Sequence, residues 1–67
     1  RGSVLFRGVH VGKGSVVEDC VIMQDSEIRQ NCRLSYVVTD KNVVIKDDRS
    51  LVGFQSYPVF ISKGSTV

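Results

Sequence analysis

The sequence predicts an all-β chain wound as a triangular parallel solenoid, and three observations carry that reading. Val9-His10-Val11-Gly12-Lys13-Gly14-Ser15-Val16-Val17 returns seventeen residues on as Ser26-Glu27-Ile28-Arg29-Gln30-Asn31-Cys32-Arg33-Leu34 and seventeen further on as Val43-Val44-Ile45-Lys46-Asp47-Asp48-Arg49-Ser50-Leu51. A fourth copy, Val59-Phe60-Ile61-Ser62-Lys63-Gly64-Ser65-Thr66-Val67, follows after sixteen. Fixed-period similarity of this kind marks a stacked repeat. Down the columns, the third place (Val11, Ile28, Ile45, Ile61) and the ninth (Val17, Leu34, Leu51, Val67) are always aliphatic. The sixth place holds Gly14, Asn31, Asp48 and Gly64, residue types that tolerate a left-handed backbone at a tight corner. Thirteen Val, no Ala and a single Pro favour strands over helix.

Each repeat supplies three short extended pieces. One lies outside the nine-residue unit, as Val4-Leu5-Phe6, Val21-Ile22-Met23 and Val38-Thr39-Asp40. The pairs Arg7-Gly8, Gln24-Asp25 and Lys41-Asn42 that follow are turn residues. Three strands and three corners per repeat describe one turn of a triangular coil, each strand pairing with its equivalent ~4.8 Å away. The chain holds about four such coils. A βαβ arrangement would need a helical stretch between strands. A hairpin meander would suit the short strands, but it does not require the same residue class at every seventeenth position.

Strand alternation assigns the faces. The expected inward columns are Val4/Val21/Val38, Phe6/Met23/Asp40, Val9/Ser26/Val43, Val11/Ile28/Ile45/Ile61, Ser15/Cys32/Arg49/Ser65 and Val17/Leu34/Leu51/Val67. Ser26, Asp40 and Arg49 fit the interior poorly and need a hydrogen-bond partner or solvent. Val52-Gly53-Phe54-Gln55-Ser56-Tyr57-Pro58 reads as a loop, with Phe54 or Tyr57 lying across the side of the stack, because proline cannot donate to a ladder. Leu5 and Ile22 would then stack outward, and Val44 and Phe60 would continue the His10 column. A ladder of outward apolar residues suggests a contact surface, so Leu5, His10, Ile22, Val44 and Phe60 are the candidate interface.

Sixty-seven residues with a net charge of +2 make one domain at most, and the scattered Lys and Arg carry no nucleic-acid or membrane-surface signal. No apolar run approaches a membrane span and no signal peptide is visible, so a cytoplasmic location is expected. Cys20 and Cys32 fall in different columns and are expected as free, partly buried thiols. One His and no Cys-x-x-Cys spacing argue against a metal site, and no cofactor is expected. The start at Arg1-Gly2-Ser3 without Met and the end inside a repeat suggest that residues 1–67 are an excised piece of a longer protein.

The pattern aliphatic-Gly-x-x-small-x, as in Val11-Gly12-Lys13-Gly14-Ser15-Val16 and more loosely in residues 28–33 and 61–66, resembles the hexapeptide repeat of single-stranded left-handed parallel β-helices. The left hand is implied by that resemblance alone, since the general crossover rule favours the right hand. Ser3-Val4-Leu5-Phe6-Arg7-Gly8-Val9, Val11-Gly12-Lys13-Gly14, Val21-Ile22-Met23-Gln24, Asp40-Lys41-Asn42 and Tyr57-Pro58-Val59 are similar to the C-terminal region of the glucose-1-phosphate adenylyltransferase family. They look most like its D-type accessory subunit of bacterial glycogen biosynthesis. The resemblance implies a parent making ADP-glucose from ATP and glucose 1-phosphate in an N-terminal α/β domain that this chain lacks. No catalytic or substrate-binding residue carries over. The implied partners are the parent's own catalytic domain and a catalytic subunit, with self-association of the piece.

His10 is the one candidate acid or base. A His on such a coil resembles the base of hexapeptide acyltransferases, which deprotonate an acceptor while acyl-coenzyme A lies between subunits. That is the alternative function, but the expected column continues as Glu27, Val44 and Phe60, and nothing in it orients the imidazole. Gly12-Lys13-Gly14 and Lys63-Gly64-Ser65-Thr66 lack the eight specified positions of a phosphate loop, and the corners already explain their glycines. Glu18-Asp19 and Asp47-Asp48 read as solvated corner acids.

Overall fold

The structure, a computed structural model, describes residues 2–67. Ten strands of two or three residues each, and no helix, occur among them. They are β1 (Val4–Leu5), β2 (His10–Val11), β3 (Val16–Glu18), β4 (Val21–Ile22), β5 (Glu27–Ile28), β6 (Arg33–Ser35), β7 (Val37–Thr39), β8 (Val44–Ile45), β9 (Ser50–Val52) and β10 (Val59–Ile61). They form three parallel sheets, β1-β4-β7-β10, β2-β5-β8 and β3-β6-β9. Strands one circuit apart pair in register, as Val4 with Val21, Val11 with Ile28 and Leu34 with Leu51. This is the triangular parallel β-helix that the period predicts.

All three corners are turned by residues with positive φ. Gly8, Asp25, Asn42 and Gly64 make the first, Gly14, Asn31 and Asp48 the second, and Asp19 and Tyr36 the third. Five of the six non-glycine corner residues are Asp or Asn, whose short polar side chains carry this conformation at least cost in their class. From corner to corner the chain advances six residues, then five, then six, so the third side is one residue short. That missing residue makes the period seventeen instead of eighteen.

The short corner also decides the faces. Inward positions run 3 and 5, 9 and 11, 15 and 17, and then 20 and 22, with the last step one residue shorter than the others. Ile22 is 0 % exposed and its register partner Thr39 1 %, while Val21, Val38 and Met23 are only half-buried and Phe6 is exposed. The expected inward columns Val4/Val21/Val38 and Phe6/Met23/Asp40 therefore face outward, and Leu5/Ile22/Thr39/Ile61 faces inward. On the other two sides the expected faces hold: Ser26, Ile28, Cys32, Leu34, Val43 and Ile45 are buried.

The fourth copy sits one side earlier in the coil than its sequence likeness suggests. Val59, Phe60 and Ile61 pair with Val37, Val38 and Thr39, and Thr66 bridges to Val44. Phe60 thus leaves the His10 column, Ile61 and Val67 leave theirs, and Gly64 belongs with Gly8 rather than Gly14. Hexapeptides on different sides share one pattern, so resemblance alone does not fix the side.

Inward-facing serines, of which Ser26 is fully buried, tie the coils together. Ser26 Oγ donates to the Asp40 carbonyl at 3.1 Å and accepts the Val43 N–H at 3.2 Å. Ser3 repeats this with the Val17 carbonyl and the Cys20 N–H, and Ser15 with the Arg29 carbonyl and the Cys32 N–H. The polar group at Ser26 is thereby satisfied inside the core, as burial demands. Asp40 accepts the Lys41 N–H at 2.7 Å at the edge of the coil, and Arg49 is exposed.

Candidate functional site

The five candidate interface residues, expected on two outward ladders, occupy four different settings. Ile22 lies in the core and is corrected out of the candidate surface. The short corner turns its side chain inward, where aliphatic burial stabilises the coil. Leu5, its register partner, points along the same inward column. It is 47 % exposed because it lies on the first described coil, with neighbouring coil on one side only. His10 and Val44 do face outward on the second sheet, separated by Glu27. Phe60 faces outward on the first sheet, beside Val38.

His10 is exposed on β2. Glu27, its neighbour on the next coil, directs its carboxylate to Arg29 Nε at 3.4 Å, and both of those side chains are about half exposed, so the pair contributes little to stability. Among the described residues no side chain holds the imidazole in one orientation. General-base chemistry requires such positioning or a substrate-bound equivalent.

Cys20 and Cys32 are buried free thiols. Cys20 donates to the Glu18 carbonyl at 3.1 Å, and Cys32 to the Lys46 carbonyl at 3.0 Å, where Cys32 occupies the place that serine takes elsewhere. Burial pushes the Cys20 thiol up, with the nearby Asp19 carboxylate adding to the effect and backbone hydrogen bonding with Val37 and Glu18 opposing it. A protonated, enclosed thiol is a poor nucleophile.

The first sheet carries the more informative surface. Its outward column is Val4, Val21, Val38 and Phe60, one apolar side chain per coil. Beside Phe60 the loop expected at 52–58 is a closed hairpin: Phe54 N–H donates to the Tyr57 carbonyl at 3.2 Å and Tyr57 N–H to the Phe54 carbonyl at 2.9 Å. Its aromatic rings do not lie across the stack. Phe54 is 68 % and Tyr57 81 % exposed, and with Val52, Pro58 and Phe60 they border an open cleft of about 430 Å³. One sequence signal marks this region. Residues 50–62 contain no charged side chain in a chain where 24 % are charged.

Short sides, aliphatic and small inward positions and left-handed corners define a hexapeptide-repeat β-helix. The family model described as GlmU-like, C-terminal hexapeptide matches residues 1–57. The chain is 35 % identical to a glucose-1-phosphate adenylyltransferase of Alteromonas mediterranea over 51 residues, 76 % of this chain and 12 % of that protein. Against the enzyme of the same name from Nitrosospira multiformis it is 47 % identical over 45 residues, 67 % of this chain and 11 % of the other. No solved structure matches. The chain belongs to the hexapeptide family, with the left-handed parallel β-helix as its fold, and its likeness there is to the C-terminal hexapeptide domain of glucose-1-phosphate adenylyltransferases. It spans about a tenth of the length of those relatives. No helix among the described residues is long and apolar enough to cross a membrane.

Proposed function

We propose that the chain is the structural and assembly domain of a glucose-1-phosphate adenylyltransferase subunit in glycogen biosynthesis, working in the cytoplasm. On this reading residues 1–67 are one β-helical domain. The transferase chemistry resides in a nucleotidyltransferase domain outside it, and the accessory D-type subunit is the variant proposed. Its partners are that catalytic domain and a catalytic subunit.

The observation that supports an assembly role is the outward column Val4, Val21, Val38 and Phe60. A registered ladder of apolar side chains, with Val4 54 % and Phe60 65 % exposed, offers continuous area for another protein surface. The test is Val21→Lys with Phe60→Lys in the full-length subunit. Co-purification with the catalytic subunit is expected to fall sharply while the coil stays folded. Assembly and activity that both survive would remove this face from the interface. The acyltransferase alternative gains no support from His10, which no neighbouring side chain orients.

A further inference from the structure

The coil does not need residues 54–58. Val59 and Phe60 stand twenty-two residues after their register partners Val37 and Val38, five more than the period. Yet the ladder is unbroken across the excess. The Gly53 N–H donates to the Ser35 carbonyl at 2.8 Å, and the Val59 N–H donates to the next acceptor, the Tyr36 carbonyl, at 3.0 Å. Between these two rungs the chain leaves the corner, turns through Gln55 and Ser56, and returns, closing on itself through the two Phe54 and Tyr57 bonds. Removing the five residues would place Val59 seventeen after Val37, the regular step. The insertion therefore adds nothing to the helix, while it holds two aromatic side chains in water at a solubility cost.

We propose that this hairpin is the docking element by which the coil holds the nucleotidyltransferase domain of the same polypeptide, with Phe54 and Tyr57 seated in an uncharged, apolar surface of that domain. The inference rests on the function proposed above. The absence of charge from residues 50–62 matches a surface that is itself uncharged, since an unpaired charge buried against it would be costly. Area decides between a tethered and a free partner. Phe54 and Tyr57, roughly 200 Å² each and exposed at 68 and 81 %, offer on the order of 300 Å² of contact, less than half of the ~800 Å² per partner that separate proteins need. A domain on the same chain is held at high effective concentration by its linker, so a small patch suffices. The chain spans about 12 % of a relative's length, which leaves ample polypeptide to supply that surface.

The experiment compares the full-length subunit with a variant lacking residues 54–58 and with the double variant Phe54→Ser, Tyr57→Ser. Limited proteolysis of the interdomain linker is the readout. Both variants are expected to raise the cleavage rate at least tenfold while the coil's own thermal transition stays in place. If the deletion fails to fold, the double variant decides alone. Unchanged cleavage overturns the proposal. So does dissociation of subunits with the linker still protected, which would assign the hairpin to a neighbouring chain or a second copy. If Val21→Lys with Phe60→Lys breaks assembly while both hairpin variants behave as wild type, the assembly function stands and this inference falls. If neither set has an effect, both fall.

Discussion

Ile22 and Thr39 are register partners on β4 and β7, both buried, and they bring different chemistry to the same inward column. Ile22 adds only aliphatic surface. Thr39 adds a hydroxyl with no hydrogen-bond partner among the described residues. A buried, unpaired hydroxyl costs about 1–3 kcal/mol, and replacing it by a methyl of the same shape removes that cost. Thr39→Val should therefore raise stability by about 1 kcal/mol, seen as a higher denaturant midpoint at constant slope. A lower midpoint would show that the hydroxyl is satisfied.

The face assignment is tested by a pair of neighbours. Ile22→Lys places a charge in the core and should prevent folding, whereas Val21→Lys points outward and should change stability by less than about 0.5 kcal/mol. Circular dichroism melts of the two variants decide it. Equal damage from both would invalidate the inward position of Ile22.

Ile28 is 1 % exposed and stacked between Val11 and Ile45. Ile28→Ala should cost ~2–5 kcal/mol, the range for large-to-small changes in a core that cannot collapse fully. Ser26→Ala should cost about 1–3 kcal/mol for a different reason, because the Val43 N–H and the Asp40 carbonyl both lose their partner. Equilibrium unfolding gives both values, and a loss at Ser26 near zero would mean that the serine tie is incidental.

Cys20 gives a pH signature. Its thiol is raised in the folded chain by burial, so the unfolded chain gives up the proton first as pH rises. The contribution to stability is complete below the ordinary thiol range and is lost as pH rises through the folded value. Native alkylation of Cys20 should be slow at pH 8 and become rapid only when the coil unfolds. Fast labelling of the native chain would contradict the burial.

The period, the parallel pairing and the core of two sides were legible in the sequence because Val11, Ile28 and Ile45 can alternate only with polar residues such as His10, Glu27 and Arg29. The first sheet was not, since Val21, Ile22 and Met23 are apolar on both faces and offer no polar residue to mark the outside. The corner at Asp19 is one residue short, and alternation counted through it with the usual spacing inverts every side chain beyond. Phe60 was misplaced for a related reason. The copy 59–67 matches the unit 9–17 in pattern, but the five extra residues of the hairpin offset the count by nearly one six-residue side, so the copy starts on the first side instead of the second. As for the site, no sequence rule ties exposure to a residue such as Tyr57 in an insertion, although the uncharged stretch 50–62 did mark the region.

The proposed assembly role is tested most directly by where Phe60 lies in the full-length protein. Photo-crosslinking from Phe60→p-benzoylphenylalanine in the full-length subunit, with Lys46→p-benzoylphenylalanine just past β8 as control, reports which surface is covered. Covalent capture of the adenylyltransferase's catalytic domain or catalytic subunit from position 60, with little from position 46, is the expected result. Capture from position 46 and none from position 60 would contradict the account.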